Sequence, residues 1–144
     1  MISKSKKFEY LDHTADVMFI SYGKTLNKAF ENSGLAIFNI LTDIKKVKQI
    51  KKISFKIEAK TIERLLYDFI DELIFYQDTE NLIFSKFKIK IKKNKKDNKY
   101  LLQCEAYGDS IKNYETHGHI KSPTYNEMEI KKKGLWKIKS VVDI

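Results

Sequence analysis

The chain holds a single cysteine (Cys104), a single proline (Pro123), a single arginine (Arg64) and only five glycines in 144 residues. With one cysteine no intrachain disulfide can form, which agrees with a reducing compartment. No apolar run approaches the roughly 20 residues that a membrane-spanning helix requires. The basic stretch from Met1 to Lys7 leads into Phe8-Glu9-Tyr10 without the apolar core of a signal peptide, so a cytoplasmic protein that does not engage a membrane is expected. Pro-rich linkers, internal repeats and heptads are missing too. A chain of this length supports one core, so residues 1–144 are expected to form a single domain.

What is present points to a packed globule: hydrophobic residues make up 42% and aromatics 12% of the chain. The formal charge is +9 and is locally dense at Lys86, Lys88, Lys90, Lys92, Lys93, Lys95, Lys96 and Lys99. Such density suits a nucleic-acid partner, but a solvated or weakly steering basic face is the favoured reading, since charge alone gives only salt-sensitive association. The lone Arg64 weighs against specific recognition, because arginine supplies the planar fork that fits phosphates and guanine edges. RNA contact is therefore expected to be weak or indirect.

Hydrophobic periodicity sets out the elements. Val17 to Tyr22 reads as a strand ending at Gly23, and Thr25 then caps a helix with Leu26, Phe30, Ile37 and Leu41 at helical spacing. Ile53, Phe55 and Ile57 alternate with polar residues as a half-buried strand. Thr61 caps a second helix, Glu63 suits the positive end of its dipole, and Ile62, Leu66, Phe69, Leu73 and Tyr76 form its buried stripe. Phe87, Ile89 and Ile91 alternate with lysines, which makes the lysine run one face of a strand. The polar stretch from Asn94 to Asn98 turns it back into a strand over Tyr100 to Tyr107. Two more strands are expected over Thr124 to Ile130 and Leu135 to Val142, with Met128, Ile130, Trp136, Ile138 and Val142 inward. The order predicts an α+β fold: a two-layer domain with two helices on one side of a largely antiparallel or mixed sheet of about six or seven strands. The opposite face would then curl, be covered by the Ser110 to Ser122 connection, or dock a partner.

Several constellations bear on chemistry. Asp12, His13 and Asp16 lie in a polar loop; by themselves they fit either a turn whose side chains satisfy local N–H groups or part of a cation site. Asp143 and the main-chain carboxyl of Ile144 offer oxygens from adjacent residues, and a carboxylate from Asp16 would complete a set that suits Ca²⁺ or Mg²⁺ rather than Zn²⁺. The acids could also activate a metal-bound water. A terminal carboxylate in the ligand set weakens that Lewis acidity, and no general base or nucleophile accompanies it. His117, His119 and Cys104 lack the spacing of a zinc site. Gly23-Lys24-Thr25 precedes a helix but has Met18 where a phosphate loop needs its first glycine. Arg64 and Asp68 are spaced to pair on a solvated helix face.

His13-Thr14-Ala15-Asp16 followed by an apolar strand, a glycine and a helix resembles the archease family. The likeness extends through Leu65-Leu66, Leu73, Asp78, Leu82-Ile83-Phe84, Gly108, His117, Lys121, Thr124-Tyr125 and the final Asp143-Ile144. One departure stands out: the family has alanine between Lys121 and Thr124 where this chain has Ser122-Pro123, so strand pairing is expected to start later here. The resemblance implies a divalent cation, Ca²⁺ foremost and Mg²⁺ as the second choice, bound by Asp16, Asp143 and Ile144, with Asp12 and His13 in support. It also implies no catalytic residues of its own. The implied role is that of a non-catalytic cofactor that activates the GTP-dependent tRNA-splicing RNA ligase, promoting ligase guanylylation and multiple turnover. The alternative is a stand-alone basic RNA-binding module, which would lack the aromatic signature of the common RNA-binding folds.

Overall fold

The computed structural model describes residues 6–11 and 16–144. It contains strands β1 (Phe8–Leu11) and β2 (Asp16–Gly23), helix α1 (Leu26–Asn39), strand β3 (Lys51–Ala59) and helix α2 (Ile62–Glu80). Then follow β4 (Leu82–Lys93), β5 (Tyr100–Ser110), β6 (Ser122–Pro123), β7 (Glu129–Lys133) and β8 (Leu135–Asp143). The α+β class is as expected. The single sheet of six or seven strands is instead two sheets, in which every strand pair is antiparallel. One sheet has the order β1-β2-β8, with β6 and β7 sharing the remaining edge of β8; the other has the order β3-β5-β4.

Helix α1 explains why one sheet becomes two. Thr25 caps it by accepting a hydrogen bond from Lys28 N, and nine of its residues are buried, so it presents core to more than one side. On one side the Ser21 hydroxyl of β2 lies 2.6 Å from that of Ser33 and donates to the Ala29 carbonyl at 3.1 Å. On another, Gly34 lies under the ring of Phe87 of β4, so close that a Cβ there would sit 2.6 Å from a ring carbon. Small residues thus let a sheet approach the helix from each side. Helix α2, capped by Thr61 on Arg64 N, lays Leu65, Leu66, Phe69, Ile70, Leu73 and Ile74 into the same core. Phe69 meets Phe30, Phe55 and Phe87 with ring centroids 5.9 to 6.3 Å apart. No described helix is long and apolar enough to cross a membrane.

Two strand expectations are corrected. Pairing begins at Ser122, so Pro123 lies within a strand; β6 sits at a sheet edge, where the missing N–H of proline costs no ladder bond. The strand expected from Thr124 is interrupted. The Thr124 hydroxyl accepts from Asn126 N and Met128 N bonds to Tyr125 O, so these residues turn, and pairing resumes only at Glu129. The Ser110 to Ser122 connection packs at the helix ends, where His117 N bonds to Leu41 O and Gln77 of α2 bonds both backbone groups of Ile120.

Candidate metal centre

Asp16 opens β2 and Asp143 closes β8, and the antiparallel register makes the two residues direct cross-strand partners. Directly paired residues project from the same side of a sheet with Cβ atoms about 4.5–5.5 Å apart. Because Ser21 faces α1, the alternation along β2 turns Asp16 to the face away from that helix. Two like charges placed directly opposite destabilise a sheet, and a cation shared between them reverses the sign of that interaction.

Asp143 is held from two directions. Its Oδ2 accepts a hydrogen bond from Ser122 Oγ at 2.8 Å, and its carbonyl accepts from Lys121 N at 2.9 Å. The bond from Ser122 is the more informative, because Ser122 is itself the cross-strand partner of Asp143 on the other side. One carboxylate oxygen is thereby fixed while the second is left to another contact. Ile144 follows directly, is 41% exposed, and can offer only main-chain oxygen. Sequence patterning marks Ser122 only as a departure beside Pro123. Its place opposite Asp143 depends on the pairing register, which no local signal carries.

The structure therefore brings Asp16, Asp143 and Ile144 to one end of the β2–β8 ladder. Asp12 and His13, between β1 and β2, lie outside the described residues. Among the described residues no group of three or more His, Cys, Asp or Glu side chains is arranged to hold a metal. What stands together is two carboxylates and the main-chain oxygen of Ile144, all of them oxygen donors, the donor type that hard cations take rather than thiophilic ones.

The remaining candidates are scattered. Cys104 lies on the core face of β5 between Phe55 and Ile89, buried, and that burial pushes its thiol well above the ordinary range. His119 Nε2 is 2.8 Å from Asp78 Oδ1 on an exposed surface, while His117 is tied through its backbone to Leu41. Arg64 and Asp68 form the expected i, i+4 pair at 2.9 Å. Gly23 and Thr25 serve the entry into α1, with Thr25 as its cap.

A family model described as the Archease protein family (MTH1598/TM1083) matches residues 8–144. Proteins named archease are similar along nearly the whole chain. That of Pyrococcus furiosus is 36% identical over 96% of this chain and 99% of its own length, and that of Sulfurisphaera tokodaii is 40% identical over the same shares. The solution structure of Methanobacterium thermoautotrophicum protein 1598 superposes with a TM-score of 0.79 at 36% identity, covering 95% of this chain and 98% of that one. The match runs from the first described strand through the paired carboxylates at the end of β8, and on it this chain belongs to the archease family.

Proposed function

We propose that this protein is a non-catalytic cofactor of the GTP-dependent tRNA-splicing RNA ligase, promoting guanylylation of the ligase and its multiple turnover. Family membership supports a protein-cofactor role, and the juxtaposition of Asp16 with Asp143 carries the assignment of the working site. The residues proposed to hold a divalent cation, Ca²⁺ foremost, are Asp16, Asp143 and the main-chain oxygen of Ile144. Ser122 orients the Asp143 carboxylate, and the Lys121 amide fixes the backbone from which Ile144 projects. When bound, the cation supplies positive charge at the end of the β2–β8 ladder, where a partner's acidic or phosphate groups can reach it. This chain contributes orientation and charge; the nucleotide chemistry stays in the ligase.

Calorimetric titration with Ca²⁺ and Mg²⁺ tests the site. The Asp16→Ala, Asp143→Ala double variant, with far-UV circular dichroism unchanged, should lose measurable divalent binding. Unchanged affinity would remove both residues from the site. With limiting ligase, matched RNA ends and GTP, the protein should raise product beyond one turnover, and Asp143→Asn should lose most of that gain. Full stimulation by Asp143→Asn would place the effect elsewhere on the molecule.

A further inference from the structure

The face of the β3-β5-β4 sheet turned away from the helices carries Lys86, Lys88, Lys90 and Lys92 on β4, and Lys52, Ser54, Lys56 and, at its far end, Glu58 on β3. The strands are about 4.8 Å apart and alternate residues about 6.7 Å apart, so the four β4 lysines form one row, and Lys52 and Lys56 face it from about 10 Å across the sheet. Between them runs the middle strand, with Tyr107, Glu105, Gln103 and Leu101 outward. Glu105 is neutralised by Lys52 at 2.9 Å, and no other lysine of this face has an ion pair among the described residues. The ammonium groups of Lys52, Lys86 and Lys88 gather around the Tyr107 ring at 5.4 to 5.8 Å from its centroid.

Lysine on an edge strand is often explained as protection against edge-to-edge aggregation. Here the edge of β4 is already closed, because Glu31 and Asn27 of α1 accept hydrogen bonds from Ile89 N and Ile91 N at 2.9 and 3.0 Å. Placing four like charges at alternate positions along one strand, about 6.7 Å apart, with two more across the sheet, lowers stability, and edge protection does not require it. A polyanion with charges at regular steps offsets that repulsion. A sheet face with Tyr107 between Lys52 and Lys86, and Gln103 between Lys56 and Lys90, suits a strand whose bases are free to lie on the middle lane while its phosphates meet the flanking lysines.

We propose that this face binds single-stranded nucleic acid through its phosphates. The site is separate from the paired carboxylates, and the inference is independent of the ligase reading. Fluorescence anisotropy of the full-length protein alone, with labelled U20 RNA and dT20 DNA, tests it. Both probes should bind saturably at low salt, and a 20-base-pair duplex should compete more weakly than either. With four phosphates engaged, log K should fall with log salt at a slope of about −3. Lys88→Gln with Lys90→Gln should cost about tenfold in affinity and flatten the slope by about 1.4, without lowering the melting temperature. The control pair Lys132→Gln with Lys133→Gln removes the same charge from β7 and should change affinity less than twofold. Asp143→Asn should bind both probes as the unaltered protein does. Equal losses from the two lysine pairs, stronger competition by the duplex, or no saturable binding at low salt would each overturn the proposal.

Discussion

Gln77 is almost fully buried on α2, and its side-chain amide takes up both backbone groups of Ile120: Oε1 accepts from Ile120 N at 3.2 Å and Nε2 donates to Ile120 O at 2.9 Å. In this way one residue anchors the segment that leads to Lys121, Ser122 and the Asp143 carboxylate. Gln77→Met keeps the volume but leaves two backbone groups unpaired away from water, and should cost about 2–5 kcal/mol. Urea unfolding measures this, and a loss under about 1 kcal/mol would mean that Ile120 finds other partners. Residue-scale features that rest on near neighbours were legible in the sequence: the caps at Thr25 and Thr61, and the Arg64–Asp68 pair. The roles of Gln77 and Ser122 were not, because their partners lie 43 and 21 residues away and no spacing rule reaches that far.

At the scale of elements, the β4–β5 hairpin combines a readable pattern with an unreadable one. Lysine and apolar residues alternate from Lys86 to Lys92, and that alternation alone assigns the solvent and core faces of β4. The pairing register shifts between Phe84 and Lys86, however, and Gly108 of β5 lies against this irregularity. A Cβ at Gly108 would fall 1.9 Å from the Ile83 carbonyl oxygen, which is backbone inside a sheet and has nowhere to move. Gly108→Ala should therefore destabilise the protein by about 3 kcal/mol or more, beyond the usual range for an added methylene. Gly34→Ala meets side-chain atoms of the Phe87 ring and no backbone, and it gains about 1 kcal/mol of helix propensity, so its net cost should be smaller. Chemical denaturation of the two variants side by side checks the ranking, and the reverse order would show that the bulge yields more readily than the aromatic core.

For the whole molecule, ionisation is set by how the layers bury polar groups. The Tyr10 hydroxyl donates to Ala36 O of α1, and burial pushes its pKa up to about 12. Tyr22 is also raised to about 12, by burial and then by its hydrogen bond to Glu9. Both folded values lie above the unfolded value of about 10, so the stability they contribute is complete below pH ~10 and is lost as pH rises toward 12. Thermal unfolding from pH 8 to 12 should show this decline, and Tyr22→Phe should decline less steeply than the unaltered protein. Identical slopes would show that Tyr22 ionises in the folded state as easily as in the unfolded one. The sequence by itself determined the two helices, the alternating strands, the α+β class and the identity of the acidic residues, since each depends on residues a few positions apart. Only the tertiary structure decided that the strands divide into two sheets against α1, that Asp16 stands across from Asp143 with Ser122 beside it, and that the lysine face stays open. These depend on which strands pair and in what register, and pairing is chosen by the fit of distant side chains such as Ser21 on Ser33 and Phe87 on Gly34.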